Sequence, residues 1–157
     1  MALWEDARNT DQRGDIEFDE KLRRWAKGSY TLEAGTELLI RAFGGRFAST
    51  GEPWIHVEDG QPWIDFEAIP DNVGVLSGGE RRMLLIIASI GGGAPVDLSD
   101  VLPALDRANL SMVLAAVSHA GGSHEHSMMD LNKDGTHSIS RQTSLYPWPE
   151  PGVLYSL

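Results

Sequence analysis

The stretch PWIHVEDGQPWIDF, residues 53–66, decides the fold of this chain. Its two halves nearly repeat one another, as Pro-Trp-Ile-His-Val and Pro-Trp-Ile-Asp-Phe. Asp59-Gly60 lies between them, and Asp-Gly is a preferred pair at the tip of a two-residue hairpin because both central positions need a positive φ. The stretch therefore predicts an antiparallel β-hairpin. Its cross-strand pairs would be Glu58–Gln61, His56–Trp63 and Ile55–Ile64.

The predicted register sorts the side chains of this hairpin onto two faces, as a half-buried hairpin requires. Its apolar face carries Pro53, Ile55, Val57, Pro62, Ile64 and Phe66. A two-stranded hairpin is marginally stable alone, so this face must pack on helices. Exposed aromatic side chains are enriched in binding hot spots. The opposite face therefore predicts a partner-binding surface made of Trp54, His56, Trp63 and Asp65. The alternative is that the chain itself covers both faces.

The strongest helical signal follows at residues 77–90, SGGERRMLLIIASI. Ser77 precedes Glu80 by three residues, just before an apolar run, which is the pattern of a capping box. From Met83 to Ile90 the helix is apolar nearly all round, which predicts a central position in the fold. Gly91-Gly92-Gly93 ends it.

Helical spacing of apolar residues predicts four further helices. They cover residues 18–27, 31–43, a short segment from 97 to 102 or 105, and a last helix from 106 or 107 to about 120. Thr31 is the expected cap of the second of these, with a buried stripe of Leu32, Leu39 and Phe43. The last helix is expected to bury one face, made of Leu110, Val113, Leu114 and Val117.

These elements predict an α+β fold with about four or five helices packed on a small antiparallel hairpin and an irregular C-terminal tail. A third strand joining the hairpin is an open alternative. Residues 1–16 are expected to form a flexible polar arm, residues 17–121 a single globular domain, and residues 122–157 an irregular or disordered tail. The prolines and aromatics near the end of the chain leave open an extended segment docked on the domain.

The composition narrows the classes of partner. The chain has a formal net charge of -10, and before residue 70 it carries fourteen Asp and Glu against eight Lys and Arg. This excess disfavours direct binding to nucleic acid or an anionic membrane and suits a protein partner with a basic surface.

No apolar run approaches the ~20 residues of a membrane span, and the first residues lack the pattern of a secretory signal. A cytoplasmic location is therefore expected. The absence of Cys excludes thiolate ligands and disulfides.

Residues 76–82, LSGGERR, resemble the signature motif of the ATP-binding cassette and chromosome-maintenance ATPases. In that family the motif contacts the γ-phosphate of a nucleotide held by an opposing subunit. The resemblance implies this role for Ser77, Gly78 and Gly79, with Arg81 beside them. Backbone N–H groups at a helix N-terminus favour an anion in any case. No Gly-Lys-Ser/Thr phosphate loop is present, so the predicted role is an accessory that contacts an anion or nucleotide.

Three histidines within eight residues form a second candidate site. His119, His124 and His126 predict a metal site, because imidazoles suit zinc, copper or nickel. Their spacing matches neither a helical i,i+4 pair nor a zinc finger, so solvated loop histidines are the alternative interpretation.

A calcium-like fragment follows in residues 130–141, where Asp130, Asn132 and Asp134 precede Gly135. The position that needs a bidentate carboxylate is occupied by Arg141, so a polar turn is expected instead.

The leading functional prediction is a small, acidic, non-enzymatic interaction protein, such as an adaptor, regulator or inhibitor, that needs no cofactor. Its protein partner would contact the acidic surface and the two tryptophans. The alternatives are a metal-binding protein or metalloenzyme that uses the three histidines, and an anion- or nucleotide-contacting accessory.

Overall fold

The structure is a computed structural model that describes the backbone of residues 3–151 and the side chains of residues 13–151. It is an α+β fold, as predicted. The helices are α1 (Leu3–Ala26), α2 (Tyr30–Arg41), α3 (Gly78–Gly92), α4 (Leu98–Val101) and α5 (Arg107–Ala120). The strands are β1 (Ile55–Glu58), β2 (Gln61–Ile64), β3 (Ser127–Leu131) and β4 (His137–Arg141). They form two separate antiparallel hairpins, β1-β2 and β3-β4.

The first hairpin has the predicted register. Ile55 pairs with Ile64, His56 with Trp63, and Glu58 with Gln61. Asp59 and Gly60 both have positive φ, at 51° and 77°, as the Asp-Gly turn requires. No third strand joins this sheet in residues 3–151.

Helix α3 is central, as its apolar sequence predicts. Ser77 caps it by accepting a hydrogen bond from the Glu80 amide, although the Glu80 side chain pairs with Arg46. At its far end α3 passes so close to α2 that a Cβ on Gly35 would lie 2.8 Å from the Gly91 Cα. The Phe66 ring fills the space beside them, since a Cβ on Gly91 would lie 2.6 Å from it. The two helices and Phe66, which lies two residues after β2, thus meet where Gly35 and Gly91 have no room for a side chain. The largest fully buried side chains of the core are Trp54, Phe47, Leu22, Leu38, Leu39, Ile69, Met83, Leu84 and Ile87.

Helix α1 is longer than predicted. It begins at Leu3, so most of the segment expected to be a flexible arm has a helical backbone. The first half of α1 has no sustained periodicity of apolar residues, so the sequence pattern does not predict a helix there. Its C-terminal half, the predicted helix, supplies the buried Leu22 and Ala26.

Helix α2 begins one residue earlier than predicted, because Ser29 and not Thr31 caps it. It ends at Arg41, before Phe43, Gly44 and Gly45, which all have positive φ. Leu39 is buried as predicted, but the partly exposed Leu32 and Phe43 only border the core, which α2 enters mainly through Ala34, Leu38 and Leu39.

Helix α5 has the predicted bounds and the Asp106 cap, but the prediction of its buried face is largely wrong. Val113 is buried, whereas Leu110, Leu114 and Val117 are exposed. The buried positions are mostly small: Ser111, Val113, Ala115 and Ala116. Small side chains allow α5 to lie close to α2. This close helix packing, and not the size of the apolar side chains, determines which face of α5 is buried.

The C-terminal segment has more structure than expected. After α5 the chain forms the exposed β3-β4 hairpin and then returns irregularly to the domain. Its Leu145 and Tyr146 amides donate to the hydroxyls of Ser123 and Ser118, and Trp148 packs against the core. The alternative of an extended C-terminal segment docked on the domain is therefore confirmed up to residue 151. Residues 152–157 lie outside the described residues.

None of the helices within residues 3–151 is long and apolar enough to cross a membrane.

Candidate metal centre

Glu33, His119 and His124 converge on one point of the domain. Glu33 lies in the first turn of α2 and His119 in the last turn of α5, so the packing of α2 on α5 brings them together. His124 lies in a 3-10 turn, Ser123–Glu125, that follows α5. One potential ligand atom from each of the three side chains lies within 4.8 Å of the others.

A tight turn after α5 returns the chain to this point. Gly122 has a φ of +68°, which strongly favours glycine, and a Cβ there would also meet the Tyr30 ring at 2.9 Å. The turn places the His124 ring on that of His119, with centroids 4.2 Å apart and planes inclined by 21°. The Tyr30 ring lies steeply inclined to both imidazoles, with its plane at 89° to His119 and 74° to His124.

Glu33 is held by two hydrogen bonds. Its Oε2 lies 2.7 Å from Nε2 of His119, and its Oε1 accepts from the Gly28 amide at 2.9 Å. Burial acts to raise the pKa of Glu33, but these hydrogen bonds outweigh it and lower the pKa. The carboxylate is therefore ionised at neutral pH. A hydrogen bond such as the one from the Gly28 amide is typical of groups that orient a metal ligand.

His124 is in a state suited to bind a metal. Its Nδ1 is buried and has no hydrogen-bond partner among the described residues. Burial and the neighbouring His119 lower the pKa of His124, so the ring is neutral at neutral pH. Metals bind the neutral imidazole.

A cleft of about 360 Å³ opens beside these side chains. It is lined by Arg23, Lys27, Glu33, Glu37, His119 and Trp148. Two of the three candidate ligands, Glu33 and His119, thus face a space that a small molecule could enter.

Trp148 forms a wall of this cleft, and Arg41 holds it in place through two contacts. The Arg41 guanidinium lies 5.2 Å from its ring centroid, and Arg41 Nη1 donates to the Pro149 carbonyl at 2.8 Å. Arg41 also pairs with Glu37, which binds Arg23 as well. A connected set of charges therefore links α1, α2 and the C-terminal segment.

The structure changes the composition of the predicted histidine site. His119 and His124 come together as expected, but His126 is exposed and does not belong to the group. Glu33, 86 residues from His119, takes its place. No local pattern joins Glu33 to the histidines, and the only sequence signal is a glutamate in the first turn of a helix.

The predicted partner-binding face of the first hairpin is partly wrong. Trp54 is 1% exposed, and its Nε1 donates to the Phe47 carbonyl at 2.8 Å, so it belongs to the core. Asp65 accepts from the Ala68 amide and caps a 3-10 turn. His56 and Trp63 are half-exposed and stack with ring centroids 4.5 Å apart, so this pair stays a prediction for partner binding.

The start of α3 lies at the surface, where Ser77, Gly78, Gly79 and Arg81 are all exposed. The Ser77 hydroxyl and the Glu80 amide satisfy one another there. An anion site at this point stays a prediction.

The calcium-like fragment covers the end of β3, the turn that follows it and β4. Asp134 Oδ1 accepts hydrogen bonds from both the amide and the hydroxyl of Thr136, and Asp130 accepts from Ser140. The expected polar turn is confirmed.

Comparison of the chain with known protein families, curated proteins and solved structures gave no match.

Proposed function

We propose that this protein binds a divalent transition-metal ion, foremost Zn²⁺, through Glu33, His119 and His124. The observation that carries the proposal is the convergence of two imidazoles and one ionised carboxylate, drawn from two helices and a turn, within 4.8 Å. Two histidines and a glutamate are a ligand set that zinc uses in sites that keep an open position.

The surroundings support this assignment. Zinc–ligand distances are about 2.0–2.2 Å, so binding requires the three side chains to close modestly around the ion. The ion would take the place of the hydrogen bond between Glu33 and His119. It would also lie close to the His124 ring, whose buried Nδ1 has no hydrogen-bond partner among the described residues. The Gly28 amide already orients Glu33 from behind.

Titration calorimetry of the full chain with Zn²⁺ tests the proposal. We expect one ion per chain, and an increase in Tm on adding Zn²⁺, because an ion that binds only the folded state stabilises it. Glu33→Gln, His119→Ala and His124→Ala should each weaken binding by at least about tenfold.

His126→Ala is the matched control, since it removes an exposed histidine two residues from His124. It should bind Zn²⁺ like the wild type. A wild-type chain that takes up no Zn²⁺, or binding that depends on His126 and not on Glu33, would contradict the proposal.

The exposed stripe on α5 favours a second function, binding to a protein partner. Leu110, Leu114 and Val117 follow one another at helical spacing on the surface, and Tyr146 lines a small cleft together with Leu110 and Leu114. Contiguous exposed apolar patches are a feature of protein interaction sites. The net charge of -10 favours a partner whose apolar contact is surrounded by basic residues.

This second function can be tested with a partner captured from the native host and then purified. Leu114→Ser should weaken binding to that basic partner at least about tenfold, and high salt should slow association. Leu98→Ser, at another exposed leucine, is the control. Equal affinity of wild type and Leu114→Ser, or a partner without a basic surface, would refute it.

A further inference from the structure

The charged side chains that line the cleft beside the candidate metal centre are two cations, Arg23 and Lys27, and two carboxylates, Glu33 and Glu37. Glu37 lies between Arg23 and Arg41 and pairs with both. Lys27 also lines the cleft, and it has no acidic partner among the described residues. A bound divalent ion would exceed the single charge of Glu33. With the ion bound, the cleft would therefore carry a net positive charge and would favour an anion.

The apolar part of the cleft is an aromatic wall. Trp148 is held over it by its contact with Arg41 and by the hydrogen bond from Arg41 to Pro149. Trp148 is partly exposed and lines the cleft, so part of its ring is available to a planar apolar group. Ring stacking on such a wall strengthens binding beyond the effect of the buried area alone.

We propose that this cleft binds a small carboxylate with a planar apolar body, with the carboxylate between the metal ion and the Lys27 ammonium and the body against Trp148. The inference rests on the proposed metal centre. It deepens that proposal, because it assigns a ligand class to the open side of the ion. A cleft of about 360 Å³ is large enough for a molecule of this kind.

The probe is benzoate, added to the full chain loaded with Co²⁺, whose visible absorption reports on the ligands of the ion. Benzoate should shift the Co²⁺ bands in a saturable way, with a Kd of about 0.1–1 mM given its size. Benzamide, which has the same shape without the charge, should bind at least about tenfold more weakly.

Two variants separate the parts of the cleft. Lys27→Gln should weaken benzoate about five- to tenfold without changing Co²⁺ affinity, because Lys27 is not a metal ligand. Lys21→Gln removes the same charge from the same helix, but Lys21 pairs with Glu17 away from the cleft, so it should leave benzoate binding unchanged. Trp148→Leu should weaken benzoate but not acetate.

The outcomes distinguish the two proposals. A chain that takes up Co²⁺ through the three ligands but shows no benzoate effect overturns the ligand proposal alone. The ligand proposal also fails if Lys27→Gln binds benzoate like the wild type, or if benzamide binds as tightly as benzoate. A chain that takes up no Co²⁺ overturns both.

Discussion

Nε2 of His119 lies 2.7 Å from Oε2 of Glu33, although 86 residues separate them in the chain. Each side chain is about one quarter exposed, so the pair is partly shielded from water. It joins the first turn of α2 to the last turn of α5, and it brings the carboxylate into the candidate metal centre.

This pair should contribute to stability even without a metal. A double-mutant cycle of Glu33→Gln and His119→Gln, measured by urea unfolding with a chelator present, should give a coupling energy of about 0.5–1.5 kcal/mol. The cycle of Glu33→Gln with His126→Gln is the control and should give a coupling near zero. Equal coupling in both cycles would refute a specific contact.

Glu37 should make the fold sensitive to acid. Burial acts to raise its pKa, but hydrogen bonds from Arg23 and Arg41 outweigh burial, so the folded-state pKa lies below that of the unfolded chain. The stabilisation is therefore complete above the unfolded pKa of about 4.3 and is lost as the pH falls through the folded pKa.

Glu37→Gln should accordingly lower the free energy of unfolding by about 1–3 kcal/mol at pH 7, and its difference from wild type should shrink below about pH 4. Urea unfolding at a series of pH values measures this. Glu58→Gln, on an exposed hairpin position, should stay within about 0.5 kcal/mol of wild type at pH 7. A difference for Glu37→Gln that grows toward low pH would contradict the argument.

Gly91→Ala should destabilise the fold by about 1–3 kcal/mol, because the new Cβ would meet the Phe66 ring at 2.6–2.7 Å. Gly79→Ala, in the same helix, has nothing within 4 Å of its new Cβ and is the control. Since alanine is the better helix former, Gly79→Ala should be neutral or slightly stabilising. Thermal unfolding of both variants measures the contrast, and equal Tm values would mean that the helices separate easily.

The two hairpin tryptophans should respond differently to substitution. Trp54→Phe should cost about 1–3 kcal/mol, because it leaves the buried Phe47 carbonyl without its donor and removes part of a packed ring. Trp63→Phe should cost less than about 1 kcal/mol, since Trp63 is half-exposed and its stacking on His56 can be retained. Urea unfolding followed by circular dichroism measures both, and similar costs would contradict the different burial.

Local sequence rules predict much of the secondary structure. The turn at Asp59-Gly60, the Ser77 cap and the end of α3 near Gly93 all depend on residues within a few positions of one another. The residues that determine them are therefore visible in any short window of the sequence.

The faces of these elements are harder to predict. Strand alternation places Trp54 on the solvent side. The kinked segment Ala42–Ala48 nevertheless covers the Trp54 side chain, because Phe47 packs against its ring. The large side chains of the α5 stripe favour a place in the core, but α5 packs on α2 through smaller ones. In both cases the decisive contact comes from a different element of the fold, and the periodicity of one element does not report how another packs on it.

The sequence by itself determined the α+β class, the register of the first hairpin and the central position of α3, because backbone geometry and apolar periodicity are local properties. Only the tertiary structure decided that Glu33, and not His126, stands with His119 and His124. The physical reason is that a site assembled from the start of one helix and the end of another depends on how those helices pack, and packing is set by the whole core.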